Sequence, residues 1–77
     1  MSRDVHHLQL TVADAPAVLD RVVSTCRSRQ CTIVALSFQA GDRHRPGQID
    51  LALRAPVRAA QLAADRLARL VDVQAVA

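Results

Sequence analysis

The stretch Ile49-Asp50-Leu51-Ala52-Leu53-Arg54-Ala55-Pro56-Val57 changes its period partway along. Ile49, Leu51 and Leu53 alternate with Asp50, Ala52 and Arg54, the two-residue repeat of a strand with one inner and one outer face. Pro56 then opens a helix, because the N–H that proline lacks would have found no intrahelical partner in the first turn. The inward stripe of that helix is Val57, Ala60, Ala63, Ala64, Leu67 and Leu70, with Arg58, Asp65, Arg66 and Arg69 outside and Leu62 off the stripe.

Working outward, Gly41-Asp42-Arg43-His44-Arg45-Pro46-Gly47 has turn chemistry and is expected to be a hairpin loop. Thr32 to Ala40 precedes it as a strand, in which Ile33 and Ala35 are out of phase with Val34, Leu36 and Phe38, so either a bulge or two covered faces is expected. Further upstream, Asp14-Ala15-Pro16 starts a helix carrying Leu19, Val22, Val23 and Cys26 on one side and ending near Arg29. Val5 to Val12 is a strand with His6, Leu8, Leu10 and Val12 inward. Downstream, Val71 to Val76 closes the chain as a short strand. The order strand, helix, strand, strand, helix, strand is the ferredoxin-like α+β pattern, a four-stranded antiparallel sheet. Right-handed crossovers put both helices on one face. The opposite face and the sheet edges stay open, which favours a homodimer formed by sheet extension or by sheet packing.

Composition narrows the functions. Seventy-seven residues make one domain, 1–77, with a thin aliphatic core, since Phe38 is the sole aromatic. The formal net charge of +3 is spread among interspersed Arg and Asp, so no basic block forms. Nucleic-acid binding on such a sheet would want aromatic platforms for stacking, and one Phe builds none. No run approaches the ~18 apolar residues of a membrane span, and Met1 to His7 lacks the apolar centre of a signal peptide, so a cytoplasmic protein is expected. Cys26 and Cys31 then read as reduced core thiols. His6, His7, His44 and the two Cys show neither Cys-x-x-Cys nor His-x3-His spacing, so no metal site is assigned. No phosphate loop and no nucleophile with a neighbouring base is visible, and no catalytic residue is assigned.

Two segments carry a family resemblance. Asp14-Ala15-Pro16-Ala17-Val18-Leu19-Asp20-Arg21-Val22 looks like the first loop and helix of ACT domains, with Thr32-Ile33 where these domains commonly have Asn-Ile. Leu67-Ala68-Arg69-Leu70-Val71-Asp72-Val73-Gln74-Ala75-Val76 is similar to the small-subunit pattern in which a helix ends in Leu-Val-Asp-Val and passes into the last strand. The chain thus resembles the ACT-domain family, and within it the short regulatory subunit of acetolactate synthase.

That resemblance implies a non-catalytic subunit that activates the catalytic large subunit in branched-chain amino acid biosynthesis. Thiamine diphosphate, FAD and Mg would belong to that partner. It also implies that an amino-acid effector would sit at a dimer interface, against Asp14, Ala15, Pro16 and Ala17, with Thr32 in the Asn position. Ala17 stands where Gly is usual and restricts backbone approach, and Asp14 would repel a carboxylate. Weak or absent valine feedback is therefore expected. The same residues also read simply as a helix cap, Asp14, and a packing residue, Ala17. A free-standing ACT-type amino-acid sensor is the alternative function. Val34, Phe38 and Leu62, apolar but away from the clean stripes, are the candidates for a partner or dimer surface, or else part of a shifted core.

Overall fold

The alternation around Leu8 and Leu51 becomes two long strands paired with each other. In the computed structural model, which describes residues 4–13, 17–27 and 30–77, these are β1 (Asp4–Val12) and β3 (Gly47–Ala55). They run antiparallel in continuous register, with His6 opposite Leu53, Leu8 opposite Leu51, Leu10 opposite Ile49 and Val12 opposite Gly47. Directly opposed residues share a face, so this register gathers the apolar set of both strands on one side of the sheet.

The remaining elements are α1 (Val18–Cys26), β2 (Thr32–Gln39), α2 (Val57–Ala68) and β4 (Val73–Val76). The antiparallel sheet has the order β2-β3-β1-β4. Both helices lie on the face that carries Leu10, Val12, Ile49, Leu51 and Leu53, where Val18, Val22 and Cys26 of α1 and Ala63 and Leu67 of α2 complete one buried cluster. This is the ferredoxin-like βαββαβ architecture expected from the element order. No helix among the described residues is long and apolar enough to cross a membrane.

Several local expectations are revised. On α2 the buried positions are Ala59, Ala60, Ala63 and Leu67, whereas Val57 is 53% exposed. Val57 is the first residue after Pro56, where the helix is only beginning to meet the sheet. The last strand begins at Val73, not Val71, which is 92% exposed. A tight turn intervenes, with Leu70 N–H donating to Leu67 O and Val73 N–H to Leu70 O, both at 3.1 Å. The first helix ends at Cys26, where the Arg27 N–H is shared between Val23 O at 3.0 Å and Ser24 O at 3.3 Å. Arg21 Nη1 donates to Asp72 Oδ2 at 2.7 Å and ties α1 to the turn before β4. So exposed a pair contributes about 0–1 kcal/mol.

The ambiguous phase of β2 resolves as a bulge. Ile33 opposes Leu53 but Ala35 opposes Ala52, which leaves Val34 as the extra residue. After it, Leu36 and Phe38 oppose Leu51 and Ile49 on the helix side. The hairpin loop that follows is rigidly hydrogen-bonded. Asp42 Oδ1 accepts from His44 N–H at 2.7 Å and Arg45 N–H at 2.9 Å, and Asp42 N–H donates to Arg45 O at 2.8 Å. A Cβ on Gly41 would stand 2.5 Å from both Arg45 O and Gly47 N. Glycine is required there by backbone approach.

Cys26 is fully buried at the end of α1, and burial first, with Cys31 nearby second, pushes its thiol from 9.0 up to about 11. Below pH 9 the thiol is neutral in folded and unfolded chains alike. Above it the unfolded chain ionises first, so this contribution to stability is lost as pH rises through about 11.

Three outcomes test this account. Leu53→Ala should cost about 2–5 kcal/mol in urea unfolding, as for a fully buried leucine. Gly41→Ala should lose about 1–3 kcal/mol by overpacking, read from the same transitions. Melting followed from pH 8 upward should show a fall in stability that Cys26→Val reduces. The chain has neither Lys nor Tyr, the residue types that would otherwise ionise in that window.

Candidate functional site

The effector-site residues expected from sequence are only partly in view. Asp14, Ala15 and Pro16 lie outside the described residues. Ala17 occupies the position before α1, half-buried, with its carbonyl accepting from Arg21 N–H at 3.0 Å; a methyl side chain offers no cap to the first-turn N–H groups. Thr32 opens β2 opposite Arg54, exposed, on the face away from the helices. Ala17 precedes α1 and Thr32 follows its other end, so nine helical residues, roughly 14 Å of axis, separate the two levels. One copy of the chain therefore does not bring these two residues together around a small ligand.

The expected contact residues are all exposed, but for different reasons. Val34, 40% exposed, is the bulged residue of the edge strand. Phe38, also 40% exposed, stands on the helix side of β2, where the helices leave it partly uncovered. Leu62, 49% exposed, lines a groove between α1 and α2 with Thr25, Cys31 and Arg66. Cys31 Sγ reaches Ala59 O at 3.7 Å in the same region. Leu36, 37% exposed, belongs with Phe38 and was missed as a surface candidate. Its signal was its phase, two residues from Phe38 on the same side.

The open face of the sheet has a different chemistry. Across β2, β3 and β1 it carries Thr32, Ala35, Ser37 and Gln39, then Gln48, Asp50, Ala52 and Arg54, then Val5, His7, Gln9 and Thr11. Small and polar side chains dominate, and the large apolar ones are nearly all elsewhere. A shallow concavity of about 530 Å³ sits here, with Ala35 and Ala52 among its lining and His7, Gln9, Ser37 and Asp50 supplying polar groups. His6, on the other side of β1, places Nε2 3.1 Å from Ala55 O, a carbonyl that can only accept. Among the described residues no three His, Cys, Asp or Glu side chains come together as metal ligands would.

Comparison with known proteins adds one firm result. No protein-family model matches the chain, and no curated protein matches it in sequence. Among solved structures, the chain is similar to the ACT domain from GTP pyrophosphokinase of Chlorobium tepidum. The TM-score is 0.85 at 12% identity, over 99% of this chain and 97% of that one. The architecture from end to end is therefore that of an ACT domain.

Proposed function

We propose that the chain is a non-catalytic regulatory subunit of acetolactate synthase, which dimerises and binds the catalytic large subunit so as to favour its active conformation. The observation that carries this reading is an ACT-domain architecture spanning the whole chain, combined with the Leu67 to Val76 run that resembles small subunits. An activator of this kind acts by binding one state of its partner more tightly than another, and needs surfaces rather than reactive groups. Thiamine diphosphate, FAD and Mg belong to the partner in this reading.

Dimerisation through the β2 edge suits the distribution of side chains. An edge strand offers unpaired N–H and C=O groups to a second copy, and here Leu36 and Phe38 stand exposed beside them. The open face, with Asp50, Arg54 and several Gln, would bury polar groups without assigned partners if two sheets were stacked. Two protomers side by side would also be needed before Ala17 and Thr32 could contribute to one effector site. Ala17 in place of Gly, Asp14 in the loop and Thr32 in place of Asn all argue for weak valine feedback or none.

Coexpression with a large subunit followed by an acetolactate assay tests the proposal. The expected result is a several-fold rise in activity that valine reverses weakly or not at all. Unchanged activity rejects the assignment, and a rise in melting temperature of the isolated protein with Val, Leu or Ile would then favour the free-standing sensor. Separately, Leu36→Ser combined with Phe38→Ser should shift sedimentation from dimer to monomer.

A further inference from the structure

The two cysteines of the chain meet the same part of the core. Cys26 is the last residue of α1, and its side chain is fully buried in the cluster that joins the helices to the sheet. Cys31 stands immediately before β2, partly buried, and packs against that cluster as well. Only Arg27 to Gln30 separate them along the chain. The sulfurs also sense each other, since charge on Cys31 adds to burial in holding the Cys26 thiol protonated.

Their access to solvent differs. Cys26 is 0% exposed, whereas Cys31 lines the groove of about 550 Å³ between α1 and α2, together with Thr25, Leu62 and Arg66. A small oxidant dissolved in water therefore meets Cys31 first. The contact that holds Cys31 toward α2 is a weak one. Its Sγ lies 3.7 Å from Ala59 O, and a thiol is a poor hydrogen-bond donor.

We propose that Cys26 and Cys31 form a reversible intramolecular disulfide when the protein meets hydrogen peroxide. The sulfur of Cys31 attacks one peroxide oxygen and the O–O bond breaks. Cys31 keeps that oxygen as a sulfenic acid, and the departing hydroxide takes the thiol proton to become water. The sulfur of Cys26 then attacks the sulfur of Cys31, the S–O bond breaks, and the sulfenic oxygen leaves with the Cys26 proton as a second water. Two thiols are oxidised by two electrons in all, and the peroxide is reduced to two waters. The finished bond is about 2.05 Å long and ties the end of α1 to the start of β2. Cys31 gives up Ala59 O to make it, so the start of β2 exchanges its hold on α2 for one on α1. Burial of Cys26 keeps the second thiol away from solvent and from other molecules until Cys31 has reacted. The device does not depend on the regulatory-subunit reading, and its failure would leave that reading untouched.

The test uses the purified chain. A few equivalents of hydrogen peroxide should lower the intact monomer mass by about 2 Da, the two hydrogens lost in forming one disulfide, and dithiothreitol should restore it. Trypsin cuts after Arg21, Arg27, Arg29 and Arg43, so the bond should appear as peptide 22–27 joined to peptide 30–43. Folded protein treated first with iodoacetamide should carry the label on Cys31 alone and then show no mass loss with peroxide. Cys26→Val should accumulate oxygen on Cys31 without that loss; the alkylation arm needs no substitution and keeps the proposal testable if the variant folds poorly. The oxidised wild type should keep its circular dichroism, while NMR amide signals around Ala59 shift. Oxygen added to Cys31 of the wild type with no linked peptides, a disulfide joining two copies, or a bond that forms only as the fold is lost would each overturn the proposal.

Discussion

The pairing of β1 with β3 is the constraint on which everything else rests. Nine residues of each strand meet in unbroken register, and that register alone aligns Leu8, Leu10, Ile49, Leu51 and Leu53 into one apolar surface. A slip by one residue would send this surface to the solvent side. Both helices depend on it, since their buried stripes of Val, Ala, Cys and Leu have no other surface of that size to cover. In a small domain with one aromatic residue, stability comes from close fit of many small aliphatic groups, and little is held in reserve.

Because β1 and β3 occupy the centre, β2 and β4 become the edges, and the edges are where the chain can meet other molecules. They differ in kind. β2 presents a full strand with a bulge and two partly covered large side chains, Leu36 and Phe38. β4 is a four-residue strand that pairs with the Leu10–Val12 end of β1. The open face between them is polar and built of small side chains, more compatible with water than with a stacked sheet. One domain thus has two unlike edges, which differ in length and in the side chains beside them.

The loop between β2 and β3 illustrates how sequence chemistry sets geometry at short range. Asp42 gathers two backbone N–H groups with one carboxylate oxygen, and Gly41 lets the chain pass against the backbone of Arg45 and Gly47 without a Cβ in the way. Such a closed turn holds the two strands in register from their common end. By contrast, the turn between α2 and β4 is made of backbone bonds around Leu70, and leaves Val71 to the solvent.

Much of the fold was legible in the chain itself, because periodicity reports which side of an element is buried. The alternation of Ile49, Leu51 and Leu53, the spacing of Val22 and Cys26, and the prolines before each helix place all six elements, and for β1, β3 and the two helices the side they bury as well. Periodicity says less at the ends of elements, where contact with the rest of the molecule decides burial, so Val57 and Val71 fell on the wrong side of the expectation. Whether β2 carried a bulge or two covered faces needed its pairing with β3, since the phase of one strand is defined only against its neighbour. Of the candidate site, Val34, Phe38 and Leu62 were picked out as misfits to the clean stripes; all three are exposed, but Phe38 shares the helix side of β2 with Leu36. The separation of Ala17 from Thr32 could not be read from residues at all. It is a relation between distant parts of the chain, and it exists only once the elements have been placed side by side.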